Sequence, residues 1–262
     1  MQRRILDFAA VVLGCLCMPA NLNAQTADAY NTQGVDWQNK GQYDKAIASY
    51  DQALTINPKY ADAYNNRGLA WAKKGDYDKA IADFGRSLAI DSKEAVAYYN
   101  RGEVWEDKGD YRKAIADYTQ SLAINPKYAH ACIDRGVAWA KMGEYAKAIA
   151  DYNQALAIDP KDAKAYNNLA WLYATCPDKA YRDGKKAFDN ASKAYLLDYA
   201  VHWYSFGTLA AAYAENGDFD AAKQWEGKAI ELAPDAESKQ ECRSHLALYN
   251  LGKPYHEDAK KP

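Results

Sequence analysis

The clearest pattern in the chain is a pair of apolar stripes with helical spacing, separated by a short polar break. In residues 61–94, Tyr64, Gly68 and Trp71 fall at i, i+4 and i+7, one face of a first helix. Lys74-Gly75-Asp76 then reads as a stop and a start, with Gly75 ending one helix in the left-handed conformation and Asp76 capping the next. Tyr77, Ala80, Ile81, Phe84 and Leu88 mark the buried face of a second helix. Gly68 and Ala80 are small where the two helices must approach each other. In the sister segments Asn57-Pro58 and Asn125-Pro126 end the second helix, because proline disfavours helical geometry in the residue before it.

This pattern recurs. Gly34, Gly68, Gly102 and Gly136 are spaced by 34 residues, and Ala170 continues the series. Three residues after each comes a large aromatic, Trp37, Trp71, Trp105, Trp139 and Tyr173. Further on stand an alanine (Ala46, Ala80, Ala114, Ala148) and, four beyond it, a ring (Tyr50, Phe84, Tyr118, Tyr152). The spacing resembles the tetratricopeptide repeat, a helix–turn–helix unit of this length. Tyr at the fourth position, Arg at the seventh and Trp at the eleventh depart from its usual pattern. The resemblance implies an all-α fold, a right-handed superhelical solenoid of antiparallel helix pairs. Six units are read at 27–60, 61–94, 95–128, 129–162, 163–202 and 203–236, with a capping helix at 237–251. The array would span residues 25–252, leaving 253–262 as a flexible tail.

The fifth unit breaks the period. The helix-packing alanines run Ala46, Ala80, Ala114, Ala148, Ala187 and Ala222, so the fourth gap is 39 residues instead of 34. Five extra residues lie between the helices of that unit, within residues 175–184, where Pro177 stops the first helix. The insertion reads as packed local decoration; Tyr181 and Arg182 at its tip give the competing reading of a recognition element.

Two positions change together between copies. Units two, three and four carry Arg67, Arg101 and Arg135 at the seventh position and Asp83, Asp117 and Asp151 at the twenty-third. Unit one has Gln33 and Ser49 there, and unit six Leu209 and Trp225. Contact is the simplest cause, so these residues are expected to form structural ion pairs joining helices.

Composition adds little to the fold and more to the setting. With 33 basic and 35 acidic residues the chain has a formal charge of −2, which argues against a nucleic-acid-coating protein. The 22 Tyr and 7 Trp follow the helix-packing period and are core before they are stacking platforms. Residues 1–24 read as an export signal, with Arg3 and Arg4 leading, an apolar run over 8–18 and a small residue at Ala24. The run is too short for a membrane-spanning helix. Cleavage would leave an exported chain, periplasmic or secreted. Residues 12–15 also resemble a lipoprotein box, so membrane attachment is expected only if Cys15 is lipidated; Asp7 stands close to that cysteine and argues against it.

No catalytic or cofactor signature emerges. The four histidines show no His-x-x-x-His spacing, and Cys132, Cys176 and Cys242 form no metal-binding pair. A Cys176–Cys242 disulfide is open on sequence alone, and Cys132 takes a core slot filled by Tyr30, Tyr64 and Tyr98 elsewhere. No metal, cofactor or enzyme activity is expected.

The resemblance implies that the first helix of each unit lines a concave face and that its outward positions meet a partner protein. Carried over position by position, that groove holds Asn31, Asn65, Tyr99, Glu103, Glu106, Asp107, His130, Asp134, Lys141, Lys164, Asn167 and Trp171. Over the wider set of groove positions acids outnumber lysines, most densely at Glu103, Glu106 and Asp107, so the partner segment should be neutral to basic. The paired Lys and Arg of the subtype that grips chaperone C-terminal carboxylates are missing. The expected function is a non-catalytic scaffold that binds a partner segment in its groove. The alternative is a self-associating homo-oligomeric module of the cell envelope.

Overall fold

In the computed structural model the described residues are 26–198 and 202–258, so the expected export signal lies outside them. Among the described residues the protein is all-helical, with no strand. Thirteen α-helices follow one another: α1 (Ala27–Asn39), α2 (Tyr43–Ile56), α3 (Ala61–Lys73), α4 (Tyr77–Ile90), α5 (Ala95–Asp107), α6 (Tyr111–Ile124), α7 (Ala129–Lys141), α8 (Tyr145–Ile158), α9 (Ala163–Thr175), α10 (Gly184–Leu197), α11 (Trp203–Glu215), α12 (Phe219–Leu232) and α13 (Ala236–Asn250). Each odd-numbered helix up to α11 packs on the even-numbered helix after it, each pair packs on the next, and α13 covers α12. The result is a solenoid of helix pairs. First helices of neighbouring pairs also touch directly, from α1 on α3 through α7 on α9, and the second helices do not approach one another comparably. The array therefore curves with its first helices inside.

Each pair is held by a glycine against a ring. A Cβ on Gly34 would lie 2.4 Å from the Tyr50 ring, and one on Gly68, Gly102 or Gly136 would lie 2.8, 2.7 or 2.6 Å from Phe84, Tyr118 or Tyr152. Such distances are below any real contact, so only glycine lets the ring lie flat on the first helix. Tyr50, Phe84 and Tyr118 are fully buried there. At the turn between the helices Gly75 adopts φ +81°, a left-handed conformation that side chains resist. The cap differs from expectation: the Asp76 side chain makes no capping hydrogen bond and pairs with Lys79 at 3.1 Å. Asp110, at the same repeat position, does accept from the Lys113 amide.

The repeating tryptophans are only half-buried, because each closes the outer end of its hairpin beneath a lysine eight residues on. Lys45, Lys79, Lys113 and Lys147 sit 4.5, 4.1, 4.1 and 4.3 Å from the ring centres of Trp37, Trp71, Trp105 and Trp139. Their stems shield the indole face while the ammonium stays wet.

Arg67, Arg101 and Arg135 lie against the aspartates sixteen residues on. In each, Nε and Nη2 donate to the two carboxylate oxygens of Asp83, Asp117 or Asp151, at 2.6–2.8 Å. Arg67 also reaches Asp51 of the preceding pair, and Arg135 reaches Thr119. The fork thus bridges within and between pairs, and the hydrogen bonds to Asp117 and Asp151 push the basicity of Arg101 and Arg135 up.

The insertion in the fifth pair is a packed loop with one 3-10 turn, Lys179–Tyr181. Tyr181 meets the Tyr145 ring, and Arg182 donates to the carbonyls of Cys176 and Pro177 and pairs with Glu215. Residues 253–258, expected to be part of a flexible tail, instead turn back over the array. Glu257 donates its amide to the Thr175 carbonyl and accepts from Trp171 Nε1, and His256 pairs with Glu215. An aromatic, an imidazole and an acid in a row give the segment partners along α9 and α11.

Two stability outcomes follow. Gly102→Ala should cost about 1–3 kcal/mol through overpacking of Tyr118. Gly85→Ala, mid-helix and with only the Arg101 tip within 4.0 Å, should gain up to about 1 kcal/mol; urea midpoints decide both. Arg101→Met should cost more than Asp117→Ala. The first strands a buried acid, an effect of about 3 kcal/mol, whereas a freed Arg101, whose side chain is already 24% exposed, can turn to water.

Candidate functional site: the inner face of the array

The inner face is built from positions five and six of the first helices, which meet across neighbouring pairs. Asn66 Nδ2 donates to Asn31 Oδ1 at 3.1 Å, Asn100 Nδ2 donates to Asn65 Oδ1 at 3.0 Å, and Tyr99 Oη donates to Asp134 Oδ2 at 2.7 Å. The rungs use the same two positions because each pair is a copy of the last, displaced along the axis. Several residues expected to greet a partner are therefore committed to one another: Asn31, Asn65, Tyr99 and Asp134. The ladder stops at Ile133, which has nothing to offer the next asparagine, and Asn168 Nδ2 is left buried without a partner.

The acidic cluster divides in two. Glu103 and Asp107 are exposed. Glu106 is half-buried and accepts a hydrogen bond of 2.9 Å from Tyr118 Oη, just as Gln38 accepts from Tyr50. Its role is structural. The signal was in the sequence, because the second pair has Phe84 and, at the glutamate's position, Ala72. Glu103 keeps an exposed surface, but crowding by the surrounding wall strips part of its hydration, and this, then the nearby Asp134 charge, pushes its carboxyl above its ordinary range. Burial does the same to Glu106, against the pull of the Tyr118 hydroxyl. The face is less acidic than a count suggests, because Lys164 donates to Asp134 at 2.8 Å. His130 and Lys141 are exposed on α7.

Trp171 stands at the centre of the C-terminal half. Its indole nitrogen is held by Glu257, and the rings of His245 and Tyr255 lie 6.0 Å from its own. On one side is a cavity of about 170 Å³ reaching Tyr152, Cys176 and Glu257. On the other is a cavity of about 240 Å³ between α9, α11, α12 and α13. Cys176 is buried and its thiol is pushed up by that burial; Cys242 is pushed up to about 12 by burial and by Glu226. All three described cysteines are free and buried, so the open Cys176–Cys242 pairing is not formed. Among the described residues no group of His, Cys, Asp and Glu is placed to hold a metal ion.

Comparison with known proteins agrees with this geometry. Models described as TPR repeat or tetratricopeptide repeat match residues 39–75, 61–94, 102–167, 151–187 and 204–236. The chain belongs to the tetratricopeptide repeat family. No curated protein matches it in sequence. Its fold is similar to that of PilW, a type IV pilus biogenesis factor, with TM-score 0.71 and 21% identity over 82% of this chain and 97% of that one. PilF of Pseudomonas aeruginosa is similar with TM-score 0.70 and 19% identity, over 83% and 96% of the two chains. A tetratricopeptide repeat protein of Parabacteroides merdae gives 0.70 and 19%, over 86% and 87%. At these identities the likeness is one of fold.

The raised Glu106 carboxyl has a consequence for pH. The folded chain holds that proton more tightly than the unfolded chain. Its contribution is therefore most favourable below the ordinary carboxylate range, near pH 4.3 in round terms, and is lost as pH rises through the raised value. Glu106→Gln keeps an acceptor for Tyr118 and removes the charge. The variant should gain on the native chain as pH rises to 7 and match it at about pH 4, measured by urea unfolding across that range.

Proposed function

We propose that the protein is a non-catalytic scaffold that binds a neutral to basic segment of another protein along its inner face. The exposed pair Glu103 and Asp107, set beside the half-buried Glu106, carries this reading. Carboxylates gathered on a concave, low-dielectric wall raise the local concentration of cations and steer them inward. Asn167 and Trp171 extend the same surface toward α11, and His130, Lys141 and Lys164 set its edges. A helix pair alone cannot cover its apolar stripe; stacking does so and leaves a long inner surface free for a partner. The buried, high-pKa thiols favour binding over chemistry. The signal-like residues 1–24 support an extracytoplasmic setting. Among the described residues no helix is long and apolar enough to cross a membrane.

Selection of a random peptide library on the chain lacking residues 1–24 tests the reading. Recovered segments should be neutral to basic, and should bind about tenfold or more weakly to the double variant Glu103→Lys, Asp107→Lys. Glu106 is left intact because Tyr118 depends on it. Acid-rich segments, or binding indifferent to the reversal, would sink the proposal.

A further inference from the structure

The repeat pattern has one substitution that neither stability nor a general groove accounts for. At the position where Tyr50, Phe84, Tyr118 and Tyr152 fill the hairpin core, four residues after the packing alanine, the sixth pair has Glu226. It is buried to 0% exposure, and neither carboxylate oxygen has a hydrogen-bond partner. Its neighbours are the Cys242 thiol, a weak donor, and His245 Nδ1, at 3.4 Å. The other buried acids differ: Asp83, Asp117, Asp134 and Asp151 all accept from Arg, Tyr or Lys at 2.6–2.8 Å. A buried carboxylate without donors costs several kcal/mol, in order-of-magnitude terms, unless something supplies them. Burial accordingly pushes the Glu226 carboxyl up, against the pull of His245.

The ring that Glu226 replaces leaves room. Glu226 is one of the residues around the 240 Å³ cavity between α9, α11, α12 and α13. That is below the roughly 300–1,000 Å³ of pockets for drug-sized ligands and suits one side chain. Trp171, Trp203 and Tyr204 line it, Glu241 lies at its exposed rim, and no lysine or arginine contributes to the lining. Two of its lining residues also hold a buried atom without a hydrogen-bond partner: Asn167 Oδ1, an acceptor, and Asn168 Nδ2, a donor. Two carboxylate oxygens with only a long contact and a weak thiol donor, and one amide oxygen with no donor, are acceptors that the N–H groups of a primary ammonium ion can serve. Aromatic faces add cation–π attraction. The lone donor, Asn168, needs an acceptor, which a peptide carbonyl offers and a free amine does not.

We infer that this cavity is the seat for a lysine side chain of the bound segment. The ammonium sits above Glu226 between the aromatic walls, with Asn168 on a neighbouring peptide carbonyl. Small side-chain adjustments at the rim, ordinary on binding, bring the donors to the buried oxygens. The inference rests on the groove reading for its ligand, a protein segment, and adds the residue that anchors it.

The test uses the chain lacking residues 1–24 and end-blocked pentapeptides Ala-Ala-X-Ala-Ala, followed by the indole N–H resonances of Trp171 and Trp203. With X = Lys the shifts should saturate. With X = norleucine, the uncharged analogue, binding should weaken about tenfold or more, and n-butylammonium should bind more weakly than the lysine peptide. Glu226→Gln, close in shape, should weaken the lysine peptide about tenfold. Glu241→Lys, at the exposed rim and remote from the core, should also weaken it and stands in if Glu226→Gln fails to fold. Glu103→Lys with Asp107→Lys, which removes only the more distant attraction, should weaken the pentapeptide by less than either pocket variant does. Equal binding of norleucine, indifference to both pocket variants, or no saturable shift would leave Glu226 and His245 as a structural pair and overturn the inference. Butylammonium binding as tightly as the peptide would overturn the assignment to a protein segment. Loss of binding by library-selected segments on Glu103 and Asp107 reversal would meanwhile uphold the groove reading, so the two can fail separately.

Discussion

Everything in the array depends on how close two helices of a hairpin can come. Where glycine faces a ring, the ring lies on bare backbone, and the pair closes to a distance that no other residue permits. This contact sets the shape of one hairpin, and copying sets the rest. Neighbouring hairpins present the same faces at the same displacement, so arginine forks, asparagine rungs and lysine-covered tryptophans recur without separate invention. Each is modest alone. Together they tie every hairpin to the next by interactions of short sequence range, which is what makes a solenoid an approximate sum of its repeats and their interfaces.

The contacts change character where copying fails. The rungs are self-satisfying as long as positions five and six both carry polar groups. Ile133 removes one half of a rung and leaves Asn168 available. Ala210 and Glu226 stand where the glycine and the ring belong; Ala210 stays in the core with Ala222 and Tyr249, and Glu226 borders a cavity. The insertion in the fifth pair does similar work indirectly: its Arg182 pins Glu215, and the segment 253–258 fastens onto the same glutamate through His256. The regular N-terminal half and the irregular C-terminal half are thus two treatments of one motif, the first repeating its contacts and the second breaking them.

Much of the fold could be read from the chain, because its determinants are local and repeated. Gly34 through Gly136 and their partner rings fix the hairpins, and the joint change of Arg67 with Asp83 across copies reveals a contact before any coordinates do. The inner face was less legible. A position count places Glu106 in the groove but cannot show that Tyr118 claims it, and it cannot show that Lys164 neutralises Asp134. Residues 253–258 carry no period at all. Their contacts with Trp171 and Thr175 join positions more than eighty residues apart, and nothing in a one-dimensional pattern encodes such a separation. Glu226 was visible as a break in the ring series, yet its meaning needed the observation that only a long contact to His245 and a weak thiol donor face its buried carboxyl.

The returning segment also makes the two ends of the array unequal. Among the described residues the first hairpin has a neighbour on one side only, and its contacts can be peeled away one pair at a time. At the C-terminal end α9, α11 and α13 are laced by a strap, so these three helices must let go together or not at all. Fraying should therefore run in one direction, from α1 inward, and the most slowly exchanging amides should cluster around Trp171. A molecule threaded into the inner face would meet a pliant entrance at one end and a firm seat at the other.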